Sequence, residues 1–207
     1  MQYSCREVDS QEEKALARSI VLAEYVRSGY IDQSAVATGA RDILPSDQAV
    51  ASASGVTLVI PHEKKIIGTV SIILDSPSGF PMDSLYKEEL DCLREEGKCL
   101  AEVVQLATDR TFESGLLGIG GGLALLFALF RGVLRFGEER GIDGFCITVN
   151  PKHNRFYEEL GFVSIGPERS YAALGGAVTV PKVLYWKEVL QSSRRKRGLF
   201  RLLLDAV

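Results

Sequence analysis

The chain has 207 residues, 46% of them apolar and 25% charged, with a formal net charge of −3. This balance fits one globular domain with a sizeable core, and it excludes a disordered, collagen-like or disulfide-scaffold protein. The net charge gives no global pull towards nucleic acid.

Charge is unevenly placed. Residues 182–201 hold seven basic side chains and one acid, a local +6, which leaves −9 on the rest of a chain totalling −3. The four cysteines, Cys5, Cys92, Cys99 and Cys146, form no CxxC pair, and only His62 and His153 could join them, so neither a metal site nor a permanently bound cofactor is expected. Reduced cysteines and a polar, charged start lead to the expectation of a cytoplasmic protein.

In chain order, Ser10 and Glu13 form a capping box, and Leu16, Ile20, Ala23, Val26 and Tyr30 recur at helical spacing. Residues 11–28 therefore read as an amphipathic helix ending at Gly29. Residues 31–54 read as loop with room for a short helix. Two β-branched runs, 56–60 and 66–74, flank a turn at 61–65. Residues 82–96 read as a charged helix with Leu85, Leu90 and Leu93 on its inner face.

Residues 100–107 read as a strand whose alternation puts Glu102, Val104 and Leu106 on one face and Val103, Gln105 and Ala107 on the other. The glycine-rich run 114–130 carries no charge, but the firmly helical part, 123–136, is interrupted by Arg131 and Arg135, so it reads as a buried core helix rather than a membrane span. A buried strand at 145–149, a short helix at 151–160 stopped by Gly161, and a strand at 162–165 follow. Residues 170–180 read as loop and 183–189 as a final strand. The order predicts one α/β domain with a mixed sheet over residues 1–190 and a basic, apolar tail over 191–207.

One string carries more. Asn150-Pro-Lys-His-Asn-Arg-Phe-Tyr157, followed by Leu160-Gly161-Phe162, leaves a buried strand and resembles the last motif of the GNAT acyltransferase superfamily. The stretch Asp75 to Asp83, then Glu89-Leu90-Asp91, Ala101-Glu102-Val103 and Val149-Asn150-Pro151-Lys152-His153, is similar to the N-acyl amino acid synthase branch, itself akin to the homoserine-lactone autoinducer synthases. The resemblance spans about residues 15–168. It implies a mostly antiparallel central sheet, flanked by helices, in which two parallel strands splay around a pantetheine thioester. It also implies that backbone N–H groups at Gly118, Gly120 and Gly121 hold phosphopantetheine at a helix N-terminus.

The usual phosphate loop begins with Gln or Arg, and Phe112-Glu113-Ser114-Gly115 does not supply one in register. That departure leads to the expectation that the donor is a long-chain acyl group on acyl carrier protein rather than on coenzyme A. Gln105 stands where autoinducer synthases carry Arg, and Trp186 is the only tryptophan, so a homoserine-lactone product is not expected.

Amide formation from a thioester needs a proton acceptor for the incoming ammonium and a donor for the leaving thiolate. Glu102 is the candidate base: a carboxylate inside Leu-Ala-Glu-Val-Val-Gln-Leu-Ala is costly unless it is used or paired. The plainer alternative is a salt-bridged strand residue facing away. By resemblance Tyr157 is the general acid, a phenol of pKa about 10 facing a thiolate of about 8.5; it could equally be a packing tyrosine. Asn150 suits pantetheine amides and also suits a helix cap. His153 is either a donor to substrate or a first-turn helix residue. Gln105 and a backbone N–H near Leu106 complete the substrate contacts that the resemblance implies. No cysteine or serine has a partner that would make it a nucleophile, so direct attack by the amine is expected.

These features together lead to the expectation of an N-acyltransferase acting from acyl carrier protein on an amino acid. The basic tail could contact the acidic carrier or a membrane surface. Two rivals stay open: an acyl-CoA-dependent N-acetyltransferase of a small amine, and a non-catalytic acyl- or carrier-binding module.

Overall fold

The computed structural model describes residues 3–112 and 121–193. The expected phosphate-loop residues Gly118 and Gly120, and the tail from Arg194 onward, lie outside the described residues.

A mixed sheet organises the fold. Its path runs β1 (Arg6–Glu7), β2 (Gly55–His62), β3 (Lys65–Leu74), β4 (Leu100–Thr108), β5 (Gly144–Val149), β8 (Ala177–Leu184) and β6 (Val163–Ser164), with β7 (Arg169–Tyr171) also paired to β8. Every pairing is antiparallel except β4 with β5. The mostly antiparallel sheet with one parallel pair is the architecture expected from the sequence.

Helices cover both faces. On one face α6 (Gly121–Arg140) lays Leu125, Leu129 and Val133 onto Ile60, Ile72, Ala101 and Phe145. Its close approach needs glycine: a Cβ on Gly137 would stand 2.6 Å from the Phe145 ring. On the other face α4 (Asp83–Glu95) packs Tyr86, Leu90 and Leu93 against Ile73, Leu100 and Cys146. Beside it, α1 (Gln11–Arg27) sets Ala17 on Val59 and Ile66. Short helices α2 (Gln33–Ala37) and α3 (Asp47–Ala51) fill the 31–54 connection, and a single turn, α5 (Arg110–Phe112), follows β4. Among the described residues no helix is long and apolar enough to cross a membrane.

Several expectations are corrected. The buried face of α1 is Ala17, Val21 and Leu22 rather than the Leu16 series, and Leu16 itself is exposed. In α4 Tyr86 joins Leu90 and Leu93 as the fully buried inner face, at regular helical spacing, while Leu85 is half-buried against the same cluster. The final strand is β8 over 177–184, and the expected strand at 183–189 is mostly α8 (Trp186–Ser193). The β-branched Val178, Val180 and Val183 carry the true strand, masked in sequence by the glycines before it. The short helix after β5 is a 3-10 turn, Pro151–His153, followed by α7 (Asn154–Glu159).

Candidate active site

The site is made by two strands that part. β4 and β5 pair over only three positions, Leu100 with Gly144, Ala101 with Phe145, and Glu102 with Cys146. Beyond Glu102 they separate. A cavity of about 230 Å³ opens between them, walled by Val103–Leu106 on one side and Ile147–Asn150 on the other. Tyr25 and Tyr30 from the end of α1 and its following turn, Pro81, Tyr157 and Tyr171 close it.

A bulge in β4 drives the parting. The β3–β4 register shifts between Thr69 and Ser71, and Gln105 sits in the left-handed region at φ 54°. Such a conformation is unfavourable for a residue with a Cβ and persists only when its surroundings over-determine it. Here they do. The Gln105 amide donates to Ser46 Oγ at 3.1 Å and Asp47 Oδ1 at 3.0 Å, and its carbonyl oxygen accepts from Ser71 Oγ at 3.4 Å. Asp47 is itself fixed by the Ile43 and Leu44 N–H groups and by Arg18. The extra residue flips the alternation. Leu106 therefore packs in the α6-side core with Ala101 and Val103, not on the face of Glu102 and Val104 as the plain period of two predicts. Gln105, expected to touch substrate, lines the cavity, but its polar atoms are engaged in holding the bulge.

Glu102 lies at the fork. It is 2% exposed, and the one hydrogen bond seen for it comes from the Met82 N–H to Oε2 at 3.2 Å. No cation pairs with it among the described residues, which removes the salt-bridge alternative. Burial disfavours its ionised form and pushes its pKa up to about 8; the Met82 hydrogen bond works against this rise, and the nearby Asp83 charge adds to it.

Tyr157 projects from α7 into an aromatic nest, with ring centroids 6.3 Å from Phe130, 5.3 Å from Phe156 and 5.5 Å from Phe162. Burial raises its phenol to about 12. Tyr25, which the sequence reading passed over, reaches the same cavity and stacks edge-on with Tyr30 at 5.6 Å. Burial and then the neighbouring Tyr30 and Glu102 raise its pKa. A tyrosine within an amphipathic helix carries no signal that separates lining from packing, which is why it was missed.

Asn150 caps the 3-10 turn, accepting from the Lys152 N–H at 3.1 Å, while also lining the cavity. His153 stands at the mouth, exposed; partial burial and then Lys152 lower its pKa. Gly121 begins α6. No group of three or more potential metal ligands occurs among the described residues. Cys146, opposite Glu102 in the ladder, is fully buried, and burial raises its thiol. It does not line the cavity.

The parted parallel strands, the bulge and the pocketed carboxylate define an N-acyltransferase of the GNAT superfamily. The family model for N-acyl amino acid synthase FeeM matches residues 17–184, and the chain belongs to that family. The structure of FeeM, an N-acyl amino acid synthase from uncultured soil microbes, is 35% identical, covers 90% of this chain and 93% of that one, and superposes with a TM-score of 0.74. An acyl-CoA N-acyltransferase from Pseudomonas aeruginosa shares the fold at 10% identity, 89% and 99% coverage and a TM-score of 0.56. The CoA-dependent acyl-homoserine lactone synthase BjaI, solved with SAM and isopentyl-CoA, does so at 16% identity, 94% and 88% coverage and a TM-score of 0.56. No curated protein sequence matches the chain.

These relatives overturn the expected donor. The fold-sharing structures described with a thioester or its carrier hold or use coenzyme A, not acyl carrier protein. The expectation rested on one missing side chain at the head of the phosphate loop. Phosphate at a helix N-terminus is held mainly by backbone N–H groups, which any sequence supplies, so that side chain was a weak discriminator.

Proposed function

We propose that the protein transfers an acyl group from a coenzyme A thioester to the primary amine of a small acceptor by direct attack. The observation that carries this is Glu102: a buried carboxyl without a cation, at the fork of two parted strands, with a pKa near 8. A group poised there matches an α-amine, whose own pKa is about 8, and can take its proton at neutral pH. The family match favours an amino acid as the acceptor.

The geometry supports the following sequence of events. The ammonium gives one proton to ionised Glu102. The free amine attacks the thioester carbon, forming C–N, and the carbonyl oxygen is held by backbone N–H near the Gln105 bulge. The C–S bond then breaks, and the second nitrogen proton passes to sulfur. Tyr157, kept protonated by burial, donates a hydrogen bond to the departing thiolate. Asn150 and the Ile147–Val149 edge face the pantetheine arm, and His153 at the mouth faces solvent and the acceptor. The buried, raised Cys146 thiol argues against an acyl-enzyme.

The test is a donor and acceptor screen, reading free thiol release and product mass. Acyl-CoA thioesters of two to sixteen carbons would be offered with each of the twenty amino acids and with simple amines. Amide product formed from an acyl-CoA supports the reading. Turnover with acyl carrier protein alone, or label retained on the protein after acyl-CoA is removed, would overturn it.

A further inference from the structure

We propose that Arg94 is a positioning residue for the transfer, holding the 75–83 loop so that the Met82 N–H stays aimed at the Glu102 carboxylate. The idea rests on Glu102 being the proton acceptor.

Arg94 lies in the last turn of α4 and reaches back along the helix. Its Nε and Nη2 donate to Asp75 at 2.7 and 3.1 Å, and its Nη1 and Nη2 donate to Asp83 at 2.7 and 2.8 Å. A further bond goes from Nη1 to Asp91 at 2.9 Å. Asp75 is the first residue after β3, and Asp83 is the first of α4. One guanidinium therefore ties both ends of the loop that joins them. Between the ends, Asp83 Oδ2 accepts from the Phe80 N–H at 2.5 Å, and the Phe80 ring lies under the guanidinium at 5.1 Å. Phe80 and Met82 are buried, and Met82 delivers its N–H to Glu102 at 3.2 Å.

The chemistry is specific to arginine. A planar fork can bond two carboxylates in fixed directions at once, whereas a lysine offers a point charge on a flexible stem. Three carboxylates gathered on one guanidinium exceed what a simple structural pair needs, and a partly exposed ion pair contributes little stability on its own. What the cluster does accomplish is geometric. The titratable groups facing Glu102 are Asp83 at the start of α4, Cys146 on β5, Tyr25 on α1 and Tyr171 on β7. The Met82 N–H is the group that favours the ionised carboxylate against burial.

The test is the pH profile of kcat/KM for R94K in the full chain, with an acyl-CoA and amine pair that the wild type turns over. R94K keeps the positive charge and loses the fork, which separates geometry from electrostatics. The acidic limb is expected to move to higher pH by about half a unit, the scale set by one net hydrogen bond. Turnover at pH 7 should fall roughly threefold, recover above the shifted midpoint, and leave KM for the thioester unchanged. A wild-type midpoint in R94K overturns the proposal. If R94K does not fold, D75N cuts one arm of the clamp and is judged by the same criterion. An inactive E102Q with an unshifted R94K rejects the clamp alone, whereas an active E102Q rejects the assignment beneath it.

Discussion

The sheet buries one charge-bearing side chain on each of its faces, and it treats the two in opposite ways. Lys182 on β8 is 0% exposed, yet its ammonium donates to Glu158 Oε1 at 3.1 Å and Ser164 Oγ at 2.9 Å. Glu102 on β4 is as deeply placed, but it has a single backbone N–H and faces a cavity. Buried charge is tolerated when it is paired and hydrogen-bonded. The lysine is compensated where the fold needs only stability. The glutamate has no counter-ion among the described residues and borders the cavity between the parted strands.

The sharpest way to break this contrast is E102Q. If the carboxylate takes the substrate proton, kcat should fall by ~10²–10⁴, the usual contribution of a general base, with the loss shrinking as pH rises and more acceptor arrives unprotonated. Stability should move the other way. The carboxyl is raised from 4.5 to about 8 on folding, so the folded state holds its proton more tightly. Its stabilising effect is fully present below about pH 4.5 and is lost as pH climbs through 8. The E102Q variant lacks that loss, so its melting temperature should exceed the wild type's by a margin that widens between pH 5 and 8. A lower melting temperature at pH 8 would mean that the carboxylate is structurally paired.

Y157F sharpens the contrast on the leaving-group side. Losing a hydrogen bond to a charged sulfur, about 1.5–3 kcal/mol, should lower kcat roughly 10- to 100-fold. The melting temperature should barely change, because the ring still packs in its nest. Wild-type kcat in Y157F would reduce Tyr157 to packing.

E158Q probes the compensated charge. Glu158 is exposed and Ser164 still receives the lysine, so the expected destabilisation is about 1 kcal/mol by chemical denaturation, with kcat per folded molecule unchanged. A large kcat loss would show that Lys182 is coupled to the site and would erase the distinction between the two buried groups.

The smallest effect is expected at Asn150. N150A removes the cap on the turn after β5 and should cost about 0.5–1 kcal/mol in stability. A rise in KM for the thioester beyond what that destabilisation explains would show that its side chain also touches the pantetheine arm.

The residues that broke a local rule in the sequence were the readable ones. Glu102 stood out because a carboxylate interrupts an apolar strand, and Asn150 because it precedes a proline at a strand end. Gln105 gave no such sign. Positive φ is normally foreshadowed by glycine or asparagine, and here it is enforced by Ser46, Asp47 and Ser71, distant in sequence, so the bulge and the displaced Leu106 could not be read in advance. Arg94 was invisible for the same reason. The string from Asp75 to Asp83 was legible as a family pattern, but its link to Glu102 exists only once β3, α4 and β4 are assembled. The face of α1 was not legible because two apolar series, one position apart, compete along that helix; in the fold Ala17 meets Val59 and Ile66, and Val21 meets Leu44 and Ala107.

The brevity of the β4–β5 ladder has a consequence for self-association. Strand edges without partners invite pairing with other chains. This sheet ends in two-residue strands, β1 and β6, which offer a foreign strand very little to grip. Its longer unpartnered edges, along Val103–Leu106 and Ile147–Val149, are turned inward towards each other, with α6 packed across one face and α4 and α1 across the other. The protein thus keeps its longer free strand edges inside the fold, lining the cavity between them rather than the outer rim of the sheet.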